Sequence, residues 1–147
     1  MTIAEILKTL EKGDQQQLEL MARGILTNGR SHEDMKDLSH YADEFNDLLS
    51  RIDAEDQDYL ALVFILSEHL NEIKSGACAC SIIQKPMYNS PERLIGILEI
   101  LDETFVAKDY AVCIHSRCLA CGKEYESKML DSGFGQKVIW SDYNKTY

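Results

Sequence analysis

Arg117-Cys118-Leu119-Ala120-Cys121-Gly122-Lys123 reads as a tight turn that presents two sulfurs on one side. Backbone N–H groups after the first cysteine can bond its sulfur, and a glycine after the second tolerates the positive φ such a turn often needs. Upstream, Cys78-Ala79-Cys80 supplies a second close pair. Two tight pairs are the donor set of a tetrahedral Zn²⁺ site, so Cys78, Cys80, Cys118 and Cys121 are the predicted ligands. Four cysteines close the coordination sphere, which makes the expected metal a structural staple with no open position for catalysis. The competing readings are buried thiols or a redox dithiol, but no βαβ pattern surrounds the motif as a thioredoxin-like site requires.

Outward from the knuckle, Tyr110–Cys118 and Lys123–Leu130 read as strands on either side of it. Thr104-Phe105-Val106 and Lys137–Ser141 complete an antiparallel sheet, with a turn at Asp131-Ser132-Gly133. Cys113 then lies on the face opposite Val112, Ile114 and Cys118. His115 shares the Cys113 face and is the alternative to one of the cysteine ligands. Cys78–Gln84 is short and holds the β-branched pair Ile82-Ile83, so it is expected to be a strand. Ser90-Pro91-Glu92 is a helix start with proline at the first helical position. Leu94, Ile97, Leu98 and Leu101 would continue that helix, so its extent is open.

The first 76 residues predict four helices. Thr2 and Glu5 form a capping box ahead of Ile3, Ile6, Leu7 and Leu10, and Gly13 ends the run. A second helix starts near Asp14, buries Leu18, Met21, Ala22 and Ile25, and stops at Asn28-Gly29. Ser31 caps a third, whose stripe Met35, Leu38, Ala42, Phe45, Leu48, Leu49 and Ile52 keeps a helical period. The fourth begins at Asp53 and ends at Ser75-Gly76. Its run Leu60–Leu66 is apolar nearly all round, as a central helix should be. Helices followed by strands predict an α+β fold: a helical bundle packed on an antiparallel sheet with a four-cysteine zinc knuckle. The expected organisation is one domain over 1–147, with an acidic helical half (1–76) and a zinc-stapled, β-rich half (77–147).

The net charge is −10, and it is uneven. Residues 1–76 carry sixteen acids against seven bases, whereas residues 77–147 carry nine against eight. Ten of the acids fall between Glu33 and Asp58, against Lys36 and Arg51 alone. Acids in a first helical turn favour the helix dipole, which explains Glu33, Asp34, Glu55 and Asp56 locally. Asp37, Asp43, Glu44 and Asp47 need another account. With Asp56 and Asp58, they are either a contact surface for a basic protein partner or simply a solvated face.

No long apolar run or signal segment is present, so the expected setting is the cytoplasm, where thiols stay reduced. His32, His40 and His69 show no metal-ligand pairing and read as packed or surface histidines. Asp102-Glu103 are adjacent in a strand and read as solvated charges. There is no nucleophile elbow, P-loop or dinucleotide fingerprint, and no enzyme is expected. A nucleic-acid module would rest on His115, Arg117, Lys123 and Lys128 around the knuckle, a poor phosphate-binding stripe among the acids nearby.

Cys78-Ala79-Cys80, Tyr110 to Cys118-Leu119-Ala120-Cys121-Gly122-Lys123-Glu124-Tyr125 and Trp140 together resemble small zinc-stapled bacterial immunity proteins of polymorphic toxin systems. The resemblance covers roughly residues 77–143 and departs at Tyr125, where tryptophan is more frequent. It implies a cytoplasmic, non-catalytic inhibitor that binds one cognate toxin domain, often a basic nuclease, and blocks its active site.

Overall fold

The computed structural model describes residues 1–28, 30–56, 58–87, 89–131 and 136–143. The fold is α+β, with helices first and a four-stranded antiparallel sheet after them. Gly29 and the turn expected at Ser132-Gly133 lie outside the described residues. Helix α1 (Ile3–Lys12) starts at the Thr2–Glu5 capping box and buries Ile6 and Leu10. Helix α2 (Gln15–Thr27) opens on a second box, in which Asp14 accepts from the Gln17 N–H and the Gln17 side chain accepts from the Asp14 N–H. Replacing Asp14 with alanine orphans one N–H of the first turn and is expected to cost about 1 kcal/mol of unfolding free energy in a urea titration. A loss under a few tenths would show that the cap contributes nothing.

The third predicted helix is two helices. α3 (His32–Ser39) and α4 (Ala42–Ser50) meet at a turn through His40 and Tyr41. There the backbone tightens to i−3 bonds, His40 N–H to Asp37 O and Tyr41 N–H to Leu38 O, and the Ser39 hydroxyl donates to Lys36 O at 2.6 Å. That local bonding competes with the α-helical ladder and ends α3. The apolar stripe survives the break, since Met35, Leu38, Ala42, Phe45 and Leu48 are all buried. Nor does the fourth helix begin at Asp53: a 3-10 turn spans Ala54–Asp56, and α5 runs from Ala61 to Lys74. Helix α5 packs on α2, α3 and α4 and buries Val63, Leu66 and Leu70.

After Gly76 one expectation fails and one extent left open is fixed. Ala79–Gln84 is a 3-10 helix instead of a strand, and Cys78 precedes it in extended conformation. In that helix residues three apart share a side, which buries Ala79 and Ile82 together. Pro91–Leu94 is a single 3-10 turn, and the chain then enters a strand, so no helix continues to Leu101. Pairing decides this: Leu98 stands opposite Cys118, and the residues that follow find partners across the sheet.

The strands are β1 (Leu98–Val106), β2 (Ala111–Cys118), β3 (Glu124–Asp131) and β4 (Gln136–Asp142), each beside its neighbour in sequence. Tyr110 is not part of β2; it turns the chain at φ 47°. Edge strand β1 carries a bulge between Ile100 and Asp102 and the exposed acids Glu99, Asp102 and Glu103, devices that discourage edge-to-edge pairing. One buried cluster joins the halves, running from Ile6, Phe45 and Leu70 to Leu98, Cys118 and Tyr125. Trp140 packs edge-on against Tyr125 and donates its indole N–H to Asn89 O at 3.1 Å. No helix among the described residues is long and apolar enough to cross a membrane.

Candidate metal centre

The four paired cysteines converge at the seam between the helical half and the sheet. Cys78 and Cys80 arrive on the 3-10 segment after α5, while Cys118 and Cys121 come from the β2–β3 turn. Their sulfurs all lie within 4.8 Å of one another, and none is in a disulfide. Cys78 Sγ is 3.5 Å from Cys118 Sγ, and Cys80 Sγ is 3.7 Å from Cys121 Sγ. Metal–sulfur bonds of about 2.3 Å in a tetrahedron set sulfurs roughly 3.8 Å apart, so the spacing suits one thiolate-ligated ion. Gly122 completes the turn at φ +77°, a conformation that an L side chain rarely takes.

The turn supplies its own donors. The N–H groups of Ala120 and Cys121 point at Cys118 Sγ, at 3.4 and 3.5 Å. The Cys118 N–H bonds to Lys123 O at 2.8 Å, and Gly122 N–H bonds to Cys118 O, so the turn is held from both ends. Burial raises the thiol pKa values of Cys80 and Cys118, although the two backbone bonds offset part of the effect at Cys118. Burial also acts upward on Cys121, but a hydrogen bond from the Lys123 backbone and those from neighbouring sulfurs outweigh it and lower its pKa. Cys121 is the exposed member of the set, whereas Cys80 and Cys118 are buried.

Cys113 and His115 are not part of this cluster. They lie on the other face of β2, where His115 Nε2 meets Glu124 Oε1 at 2.9 Å and its ring stacks on Tyr143. The histidine that does reach the sulfurs is His32. Its Nε2 is 3.4 Å from Cys118 Sγ and its Nδ1 is 4.0 Å from Cys78 Sγ. Tyr125 brings its hydroxyl to 3.0 Å from Cys80 Sγ. Sequence reasoning missed both residues; the one available signal for His32 was its place at the first position of a capped helix.

The acids expected to meet a partner are placed as follows. Asp37 on α3 and Asp43, Glu44 and Asp47 on α4 are exposed. Among the described residues the ion-paired member of this group is Asp43, 3.4 Å from Lys74 Nζ. Asp56 is half-buried and Asp58 exposed, both in the connection to α5. The basic residues around the knuckle meet carboxylates instead: Arg117 with Glu99, Lys123 with Asp142 and Lys128 with Asp109. Compared with protein-family models, curated proteins and solved structures, the chain finds no match.

Proposed function

We propose that this chain is a non-catalytic, protein-binding inhibitor whose four cysteines hold a structural Zn²⁺. More particularly, we infer an immunity protein that neutralises a cognate bacterial toxin domain, basic in character, in the cytoplasm. The observation that carries the reading is the outward row of acids on α3 and α4. Asp37, Glu44 and Asp47 are exposed and form no ion pair among the described residues. Like charges along one face cost stability unless a basic surface meets them, and they accelerate capture of such a surface. Thiolates in this number favour soft or borderline ions, and zinc suits a tetrahedral, redox-inert staple.

The nucleic-acid alternative gains nothing from the knuckle. Its Arg117, Lys123 and Lys128 are each engaged by a carboxylate, which leaves little charge for phosphates.

The test pairs the chain with the toxin domain encoded beside its gene. Wild type should form a complex and suppress the toxin in co-expressing cells. Reversing Asp37, Glu44 and Asp47 to lysine should slow association about tenfold or more at low salt, with a smaller effect at high salt. Unchanged association would remove the acidic face from the reading, and a toxin left fully active would end the inhibitor reading itself.

A further inference from the structure

Among the described residues, two side chains reach the cysteine sulfurs from outside the ligand set, and both have a hydrogen to give. Tyr125 lies in β3, 4% exposed, with its hydroxyl 3.0 Å from Cys80 Sγ. His32 comes from the helical half, and its Nε2 is also 3.0 Å from Ile97 O. A carbonyl only accepts, so Nε2 carries the hydrogen, and the Cys118 sulfur at 3.4 Å is a second acceptor within its reach. Ile97 O accepts a second bond at 3.0 Å, from the Leu119 N–H inside the knuckle. One carbonyl therefore ties α3, the segment before β1 and the cysteine turn together.

Metal ligation requires thiolates, and a thiolate can only accept. Four of them around a divalent ion leave the centre doubly negative in a largely buried place. Donors aimed at the sulfurs offset that charge and fix the ligand geometry. Cys118 receives three (two backbone N–H groups and His32), whereas Cys80 receives the Tyr125 hydroxyl.

On this geometry we infer that His32 and Tyr125 are positioning residues of the metal centre, donating to the Cys118 and Cys80 thiolates and making metal affinity depend on α3 being seated against the sheet. The inference rests on the metal reading given above. It concerns residues that never touch the ion.

The experiment loads the full-length chain with Co²⁺, whose sulfur-to-metal charge-transfer band reports electron density on the thiolates, and then competes the cobalt with Zn²⁺. Tyr125→Phe keeps the ring and removes the hydroxyl. His32→Leu removes the N–H, and His32→Gln restores a donor at similar reach. Tyr125→Phe and His32→Leu should each still bind one Co²⁺ per chain, with the band moved to lower energy and metal affinity about tenfold weaker. His32→Gln should return both readings toward wild type. Each residue is judged by its own variant: a wild-type band and affinity in Tyr125→Phe would overturn its role, and the same result in His32→Leu would overturn that of His32. A wild-type chain that takes up no cobalt would instead overturn the metal reading beneath both.

Discussion

Cys118→Ser is expected to empty the metal centre and to lower folding stability by at least about 4 kcal/mol. The estimate follows from what the sulfurs join. Cys78 and Cys118 are 40 residues apart, and Cys80 and Cys121 are 41 apart, so one ion held by all four would close a long loop containing β1 and β2. Closing a loop of that length in the unfolded chain is worth about 4 kcal/mol by the entropy argument used for covalent cross-links. Cys118 is the ligand to remove because it is 2% exposed and receives both turn N–H groups. Metal content per chain and urea unfolding, with and without chelator, provide the readings. Chelated wild type should fall to the midpoint of the variant, while Cys113→Ser, on the opposite face of β2, should keep both metal and midpoint. A Cys118→Ser protein with an undiminished midpoint would sink the staple.

Acid should destabilise the protein through His69. This residue sits in α5, 1% exposed, and desolvation lowers its pKa from the usual 6.5 to about 4; nearby Glu72 opposes the shift and Lys85 adds to it. Its Nδ1 has no partner among the described residues, and it lines a cavity of about 20 Å³ beside Arg30, Met35 and Ile97. The folded state holds the imidazole neutral, whereas the unfolded state binds a proton below pH 6.5. Stability from this group is therefore complete above about pH 6.5 and drains away as the pH falls toward 4. The loss amounts to about 3 kcal/mol across that window. Urea midpoints of chelator-treated, metal-free protein measured from pH 7.5 to 4 should decline in wild type and decline much less in His69→Leu. Parallel profiles for the two proteins would show that His69 does not set the acid limb.

The legible parts of this fold were those encoded in near neighbours. Thr2 with Glu5 and Asp14 marked real helix starts because a capping box spans only four residues. The four cysteines were legible as a set because each pair is local and chemically unusual. The break at His40-Tyr41 was hidden because the apolar period runs unchanged from Met35 to Leu48, with no glycine or proline to mark the turn. Ile82-Ile83 suggested a strand, yet the segment lies against α3 and α5 and joins no strand ladder among the described residues. A β-branched pair cannot form a sheet without a neighbour. His32 was out of reach for a different reason: it meets Cys118 across 86 residues of chain, and no local pattern encodes such a contact.

The strand order carries a consequence for how the molecule assembles in time. β1, β2, β3 and β4 lie in sequence order, so every ladder in the sheet pairs strands that are neighbours in the chain. The sulfur cluster is the opposite kind of contact, joining segments 40 and 41 residues apart. On this order an ion bound at the cysteines would be a late arrival. It would act as a latch on a body that has already taken shape, slowing departure from the native state far more than it hastens entry.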